Sequence, residues 1–373
     1  MIDIKKIIRS LAVSVLALAA LSGCGCRPRV KTELKNKREI VLAVRPDSTG
    51  AFSQAAREFS NASPDTDVRV MELGTDSTDY YRIISSVMLG GEISADIFVI
   101  EDIWLNDFVK NDYLSPMDEF VNIDKSEYIK GAADTADADG TNYFLPIDMN
   151  VGVFFKRRSS EIKSFADSSP GKTAVYSEDT VENFTNLIQI IKYCGSTEGG
   201  LKMYKNLAAQ GVQFSDFCNG DIPSALSYTL SQKKLSSEFS SINGMFDADI
   251  ITSPGGNVCS VARVNGFVVN KRTANSDGVR EFLKYINQSE VQKNILKTRG
   301  TAPVKKSDYD NDMVLDYCYM GRAIKPVCGK LEYRKMDSDF MGSLKEVSLL
   351  LDGYLKGDIP ITEAAAAVNK LID

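Results

Sequence analysis

The sequence predicts an α/β protein of at least two lobes, with a parallel sheet in the first. Three observations carry this expectation. Short β-rich runs alternate with amphipathic helices over residues 39–101. The N-terminal segment is followed by about 350 residues, more than one hydrophobic core normally holds. An extended apolar segment near residue 150 reads as a strand passing from one lobe into another.

The chain opens with Lys5, Lys6 and Arg9, then an apolar run from Leu11 to Leu21 broken only by Ser14, then Ser22-Gly23-Cys24. A permanent bilayer helix needs about 20 apolar residues, so residues 1–23 are expected to be a secretory signal that is removed. The Leu21-Ser22-Gly23-Cys24 tetrapeptide resembles the lipobox of bacterial lipoproteins, which implies diacylglycerol on the Cys24 sulfur and acylation of the new amino group. Two or more acyl chains give stable anchoring, where one gives only marginal binding. The expected place of work is therefore extracytoplasmic, on the bacterial cell membrane, with residues 24–38 as a flexible polar tether.

Within the body, Ile40 to Val44 is a β-rich run, and Phe52, Ala55, Ala56 and Phe59 share one helical face. Val68 to Leu73 is strand-like again. Tyr80, Ile84, Val87 and Met88 line the apolar side of a second helix, stopped by Gly90-Gly91, and Asp96 to Ile100 supplies a third strand. Strands joined in this way form a parallel sheet with right-handed crossovers, and ligands of such sheets sit beyond the carboxyl ends of the strands. Those ends carry Arg45, Asp47, Ser48 and Thr49, then Gly74, Thr75 and Asp76, then Glu101 and Asp102. Ser48, Thr49 and Asp76 also suit plain capping of the helices that follow, a preference worth about 1 kcal/mol each. Their convergence on one rim is what points to a ligand.

Composition narrows the chemistry. The chain has no histidine, which removes the commonest general base and metal ligand together with every Ser-His and Cys-His arrangement. Cys194, Cys218, Cys259, Cys318 and Cys328 stand singly, without a C-x-x-C pair for zinc. Bridges between Cys318 and Cys328 or Cys194 and Cys218, and buried free thiols, remain equal alternatives. A modestly acidic balance with no basic run among aromatics argues against nucleic acid. No phosphate-loop motif follows the first strand. No cofactor and no metal is expected.

Asn142 to Lys156 reads NYFLPIDMNVGVFFK, an extended segment placing Asp148 and Asn150 at the lobe crossing. Thr180 is the expected N-cap of a helix with Phe184, Leu187, Ile188 and Ile191 on one face. Gly266 to Asn270 is a strand, Val279, Phe282, Leu283 and Ile286 repeat at helical spacing, and Ser289 with Gln292 forms an S-x-x-Q capping box. Arg299-Gly300-Thr301-Ala302-Pro303-Val304 ends the helix in a glycine stop and a proline-locked turn.

This stretch, NSDGVREFLKYINQSEVQKNILKTRGTAPVKKS, resembles the signature of the family 1 extracellular solute-binding proteins, the sugar-binding lipoproteins of ABC importers related to maltose-binding protein. Ala95 to Phe120, the Asn142 to Lys156 crossover and Ser253 to Phe267 are similar to further family segments in the same order. The resemblance implies a two-lobed periplasmic-binding-protein-like fold (type II), each lobe a mostly parallel sheet flanked by helices, with hinge strands between. One lobe is expected over 39–145 plus 262–309, the other over 146–261 plus 310–373. It also implies a monomer that closes on a small polar ligand, a mono- or oligosaccharide, and delivers it to an ABC permease without breaking a bond. Carried over position by position, the ligand-binding residues are Asp47, Ser48, Thr75, Asp76, Glu101, Asp102, Asp148, Gly255, Gly256 and Arg263. The tryptophan that family members carry in the second lobe is missing from Ser224 to Phe246, leaving Tyr228, Phe239 or Phe246 as substitutes. A binding lipoprotein serving a sensor or scaffold, and an envelope glycan enzyme using carboxylates such as Asp102 and Asp148, are the alternatives.

Overall fold

The computed structural model describes residues 37–372 except 176, 178, 238, 239, 334, 335 and 337, so the expected signal, Cys24, nearly all of the tether and Phe239 lie outside the described residues. Strand β1 (Arg38–Val44) starts one residue inside the expected tether and runs parallel to β2 (Thr66–Glu72) and β3 (Ile97–Glu101). Its last five residues are all buried, because a central parallel strand is covered on both faces. Helix α1 (Ala51–Ala62) buries the predicted Phe52, Ala55, Ala56 and Phe59 on one face of the sheet. Helix α2 (Ser77–Met88) buries Tyr80, Ile84, Val87 and Met88 on the other. The Tyr80 hydroxyl lies 3.0 Å from the Ala43 carbonyl and 2.9 Å from that of Val99, which ties α2 to the ends of β1 and β3.

The strand β4 (Leu145–Arg157) joins the two lobes. Its Leu145 to Val151 half pairs antiparallel with β8 (Val261–Asn270), which pairs in turn with β3. From Gly152 onward β4 pairs instead with β6 (Ser224–Tyr228) and β7 (Phe246–Ile250). The sheet order is β2-β1-β3-β8-β4-β6-β5, with β5 (Thr173–Ala174) parallel to β6, so one hydrogen-bonded ladder passes through both lobes. Partners change at Val151 and Gly152, whereas the sequence placed the passage at Leu145 and Pro146. The run is buried from Leu145 to Phe155 and carries no mark of the change except the glycine. A Cβ on Gly152 would stand 1.8 Å from Oε1 of Gln189, the same oxygen that accepts the Val261 N–H at 3.1 Å.

Around the second half of β4, helices α3 (Thr180–Cys194), α4 (Thr197–Ala208), α7 (Phe340–Lys356) and α8 (Ile361–Ile372) bury Leu187, Leu201, Val347 and Ala364 on one face. Phe155, Phe217, Leu235 and Phe246 fill the other. In the first lobe α5 (Ser276–Ile286) and α6 (Ser289–Arg299) complete the layer over β1.

Local expectations shift in three places. The cap of α3 is Asp179, whose carboxylate accepts the Val181 and Glu182 N–H groups; Thr180 is the first helical residue. Gln288, without a side-chain cap bond, occupies the N-cap of α6, and Gln292 is buried, so the Ser289–Gln292 capping box is not formed. The five described cysteines are free, so neither bridge exists; Cys218, Cys259 and Cys318 are buried thiols.

Candidate functional site

The ends of β1 and β3 meet at a cavity of about 70 Å³. Arg45, Asp47, Ser48 and Phe52 line it after β1, Glu101 and Trp104 after β3, and Tyr80 from α2. Asn265 and Arg299 close the side, and Leu230 reaches it from the second lobe. Trp104, the sole tryptophan, is buried against Tyr80 and Tyr81 and also lines the cavity.

The charges of the site are paired with one another. Arg299 is buried; its Nε lies 2.6 Å from Asp148 Oδ2, its Nη1 3.5 Å from Asp47, and its guanidinium over the Phe52 ring. Thr301 and Asn265 supply the remaining bonds to Asp148, whose two oxygens are thereby engaged at zero exposure. Arg263, also buried, approaches Glu101 at 3.3 Å and stacks 4.0 Å from the Tyr228 ring centroid. Burial alone would lower the Arg263 pKa, yet Glu101 above the other neighbours holds it higher than usual, so its charge is firmly kept.

Around the cavity, contacts from Asp179 and Glu182 cross between the lobes, while Arg45 also meets Glu101 of its own lobe. Arg263 reaches Glu182 of α3 at 3.5 Å, Arg45 approaches Asp179 at 3.7 Å and Glu101 at 3.4 Å, and Asp179 accepts the Ser77 N–H at 2.9 Å. Burial pushes the Asp179 pKa up, but the Ser77 bonds, Arg263 and Arg45 together bring it below the ordinary carboxylate value. Asp102 is the opposite case: burial and then the Glu101 charge push its carboxyl well above that range. Its Oδ1 accepts the Val264 N–H, and its Oδ2 is buried without a partner among the described residues.

The sequence-derived residues therefore separate into groups. Asp47, Ser48 and Glu101 line the cavity, and Arg263 reaches it through Glu101. Asp102 and Asp148 are buried supports. Asp76 caps α2 by accepting the Asp79 N–H, and Thr75 is exposed beside Asp79. Gly255 and Gly256 sit on an exposed turn away from the cavity lining, Gly256 at φ 83°. Of the proposed aromatic substitutes, Tyr228 lies under Arg263 and Phe246 is core. Sequence reasoning passed over Arg299, Asp179, Glu182 and Asn265. The signal for Arg299 was a cation directly before a glycine stop, and for Asp179 an acid directly before the expected cap.

Two α/β lobes sharing their crossing strands, with polar strand ends facing a cavity between them, define a two-lobed periplasmic-type binding protein. Residues 45–293 match the model of the bacterial extracellular solute-binding proteins, and the chain belongs to that family. Solved structures agree on the fold. A maltose-bound MalE3 from T. maritima is 13% identical, with 89% of this chain and 98% of that one covered at a TM-score of 0.76. The GacH receptor of Streptomyces glaucescens, studied unliganded and with acarbose, is 15% identical at 0.76, covering 90% and 97%. UgpB of Mycobacterium tuberculosis with glycerophosphocholine is 13% identical at 0.72, covering 90% and 97%. The family's members are solute-binding proteins of ABC importers and work outside the cytoplasm. Among the described residues no helix is long and apolar enough to cross a membrane.

Proposed function

We propose that this chain captures a small polar ligand, a carbohydrate, by closing its lobes and delivers it to the transmembrane subunits of an ABC permease, while lipid on Cys24 holds it at the membrane. The observation that carries the reading is the set of contacts from Asp179 and Glu182 of α3 to Arg45, Ser77 and Arg263 of the first lobe. These contacts exist only with the lobes together, so a ligand touching both sides shifts the population toward the closed state. The ligands named for the solved relatives, maltose, acarbose and glycerophosphocholine, are all hydroxylated or derived from hydroxylated molecules, which supports a polar cargo. The glycan-enzyme alternative is less well supported: Asp148 has both oxygens bonded, and neither Asp148 nor the buried Asp102 lines the cavity.

The test is a thermal-unfolding screen of the signal-free chain against mono- and oligosaccharides, with small-angle scattering on any ligand that shifts it. A site loaded to a hundred times its Kd is stabilised by about 2.7 kcal/mol. A panel with no stabilising sugar overturns the carbohydrate reading. Retention of the Cys24→Ala variant in the membrane fraction, or its continued palmitate labelling, overturns the anchor.

A further inference from the structure

Beyond the carboxyl ends of β5 and β6 lies a second cavity, about 280 Å³, whose lining shares no residue with the first. It occupies in the second lobe the place the first cavity occupies in its own, at the ends of parallel strands. Ser177 follows β5, Ser227 belongs to β6 and Ser231 follows it; Asn186 comes from α3. Each hydroxyl brings one donor and two lone pairs, so bonds from Ser227 to Ser231 at 2.8 Å and from Ser177 to Glu182 at 2.8 Å leave capacity unused. A half-buried ring, Phe214, borders the cavity and is held by Phe155 and Phe217, each 6.2 Å away between centroids.

The charges differ from those of the first cavity. Glu182 is answered by Arg263 at 3.5 Å. Lys234, 5.9 Å from the Phe214 centroid, has no ion pair among the described residues. The wall therefore carries, among the described residues, one positive charge without an ion pair, beside an aromatic face and a row of hydroxyls.

We infer that this cavity receives the ligand's hydroxylated ring and that the ligand is a sugar bearing an anionic group, a sugar acid or sugar phosphate. Its ring packs on Phe214, its hydroxyls bond Ser177, Asn186, Ser227 and Ser231, and its anionic group meets Lys234. The inference rests on the ligand-capture reading and specifies its cargo. Carboxylate and phosphate share this chemistry, and separate probes distinguish them.

Calorimetric titration of the signal-free chain with glucuronate, glucose 6-phosphate and glucose tests it. At least one anionic sugar is expected to bind ten-fold or more tighter than glucose. Lys234→Met is expected to remove that preference, weakening the anionic sugar ten-fold or more relative to glucose, and Phe214→Leu is expected to weaken all binding sugars several-fold. Glucose binding as tightly as both anions, or anion affinity unmoved by Lys234→Met, overturns the inference and leaves ligand capture standing. Silence of all three probes also overturns it, and ligand capture falls as well only when the wider sugar panel is silent.

Discussion

The two strand-end cavities have the same position in their lobes and opposite chemistry. In the first, Arg45, Arg263 and Arg299 are answered by Asp47, Glu101, Asp148, Asp179 and Glu182, and only about 70 Å³ stays empty. In the second, hydroxyls, two amides, one ring, Glu182 and a lysine without an ion pair among the described residues surround about 280 Å³. On the reading proposed above, the difference separates two tasks: the charges of the first cavity would hold the lobes together, and the second would keep the donors and acceptors that distinguish one cargo from another. A charge pair desolvated on both sides is costly to break by removing one partner, whereas an exposed lone lysine is nearly neutral for stability.

The largest expected effect follows from Arg299. Arg299→Ala leaves Asp148 and Asp47 buried without their cation and is expected to cost about 3–5 kcal/mol in urea unfolding. Lys234→Met is expected to fall within about 0.5 kcal/mol. If the two variants unfold alike, the contrast between the lobes does not hold. Next, Asp179→Asn with Glu182→Gln removes the acids that meet the first lobe, each a charged hydrogen bond of about 1.5–3 kcal/mol in comparable settings. The ligand-free radius of gyration is expected to rise in that double variant, and an unchanged value would assign closure to something other than these charges. Gly152→Ala drives a methyl onto Gln189 and is expected to cost about 1–3 kcal/mol, the usual range for overpacking. Adding Gln189→Ala should recover part of that loss, although it frees the Val261 N–H.

The smallest effect is the pH dependence of Asp179. Its native pKa is lowered by Ser77, Arg263 and Arg45 against its burial, so the unfolded state binds the proton more readily. The stabilisation is complete above the unfolded value of about 3.9 and fades as pH falls through the native one. Asp179→Asn is therefore expected to flatten the acid limb of stability below about pH 4 and leave the neutral region level with its own plateau. A parallel acid limb in the variant would show that Asp179 is not the titrating group.

Regular periodicity made the first lobe readable. Phe52 to Phe59 and Tyr80 to Met88 announce their buried faces at helical spacing, and the strand-end rule then leads directly to Asp47, Ser48 and Glu101. The same rule also gathered Thr75 and Asp76, because a cap and a ligand contact use the same residue types; which one an acid serves depends on the direction of its side chain. Asp148 falls at the expected lobe crossing and Arg263 follows from the family resemblance, but their partners lie far along the chain, 151 residues from Asp148 in the case of Arg299, and no local pattern connects them. Arg299 itself looked like the ordinary basic end of a helix. Phe214 sits on a six-residue helix, too short to show a period, so its half-open ring had no signature in the sequence.

The unbroken ladder from β2 to β5 makes the passage between lobes a torsion element rather than a joint. β4 pairs with β8 up to Val151 and with β6 from Gly152 on, so its backbone is hydrogen-bonded on both sides of the glycine and a change in the twist of this one strand turns one lobe against the other. Gln189 of α3 accepts the Val261 N–H while abutting Gly152, which packs the helix against both strands at that point. The Val261 amide is accordingly expected to be among the slowest in the molecule to exchange with deuterium, a rigid point at the centre of the motion.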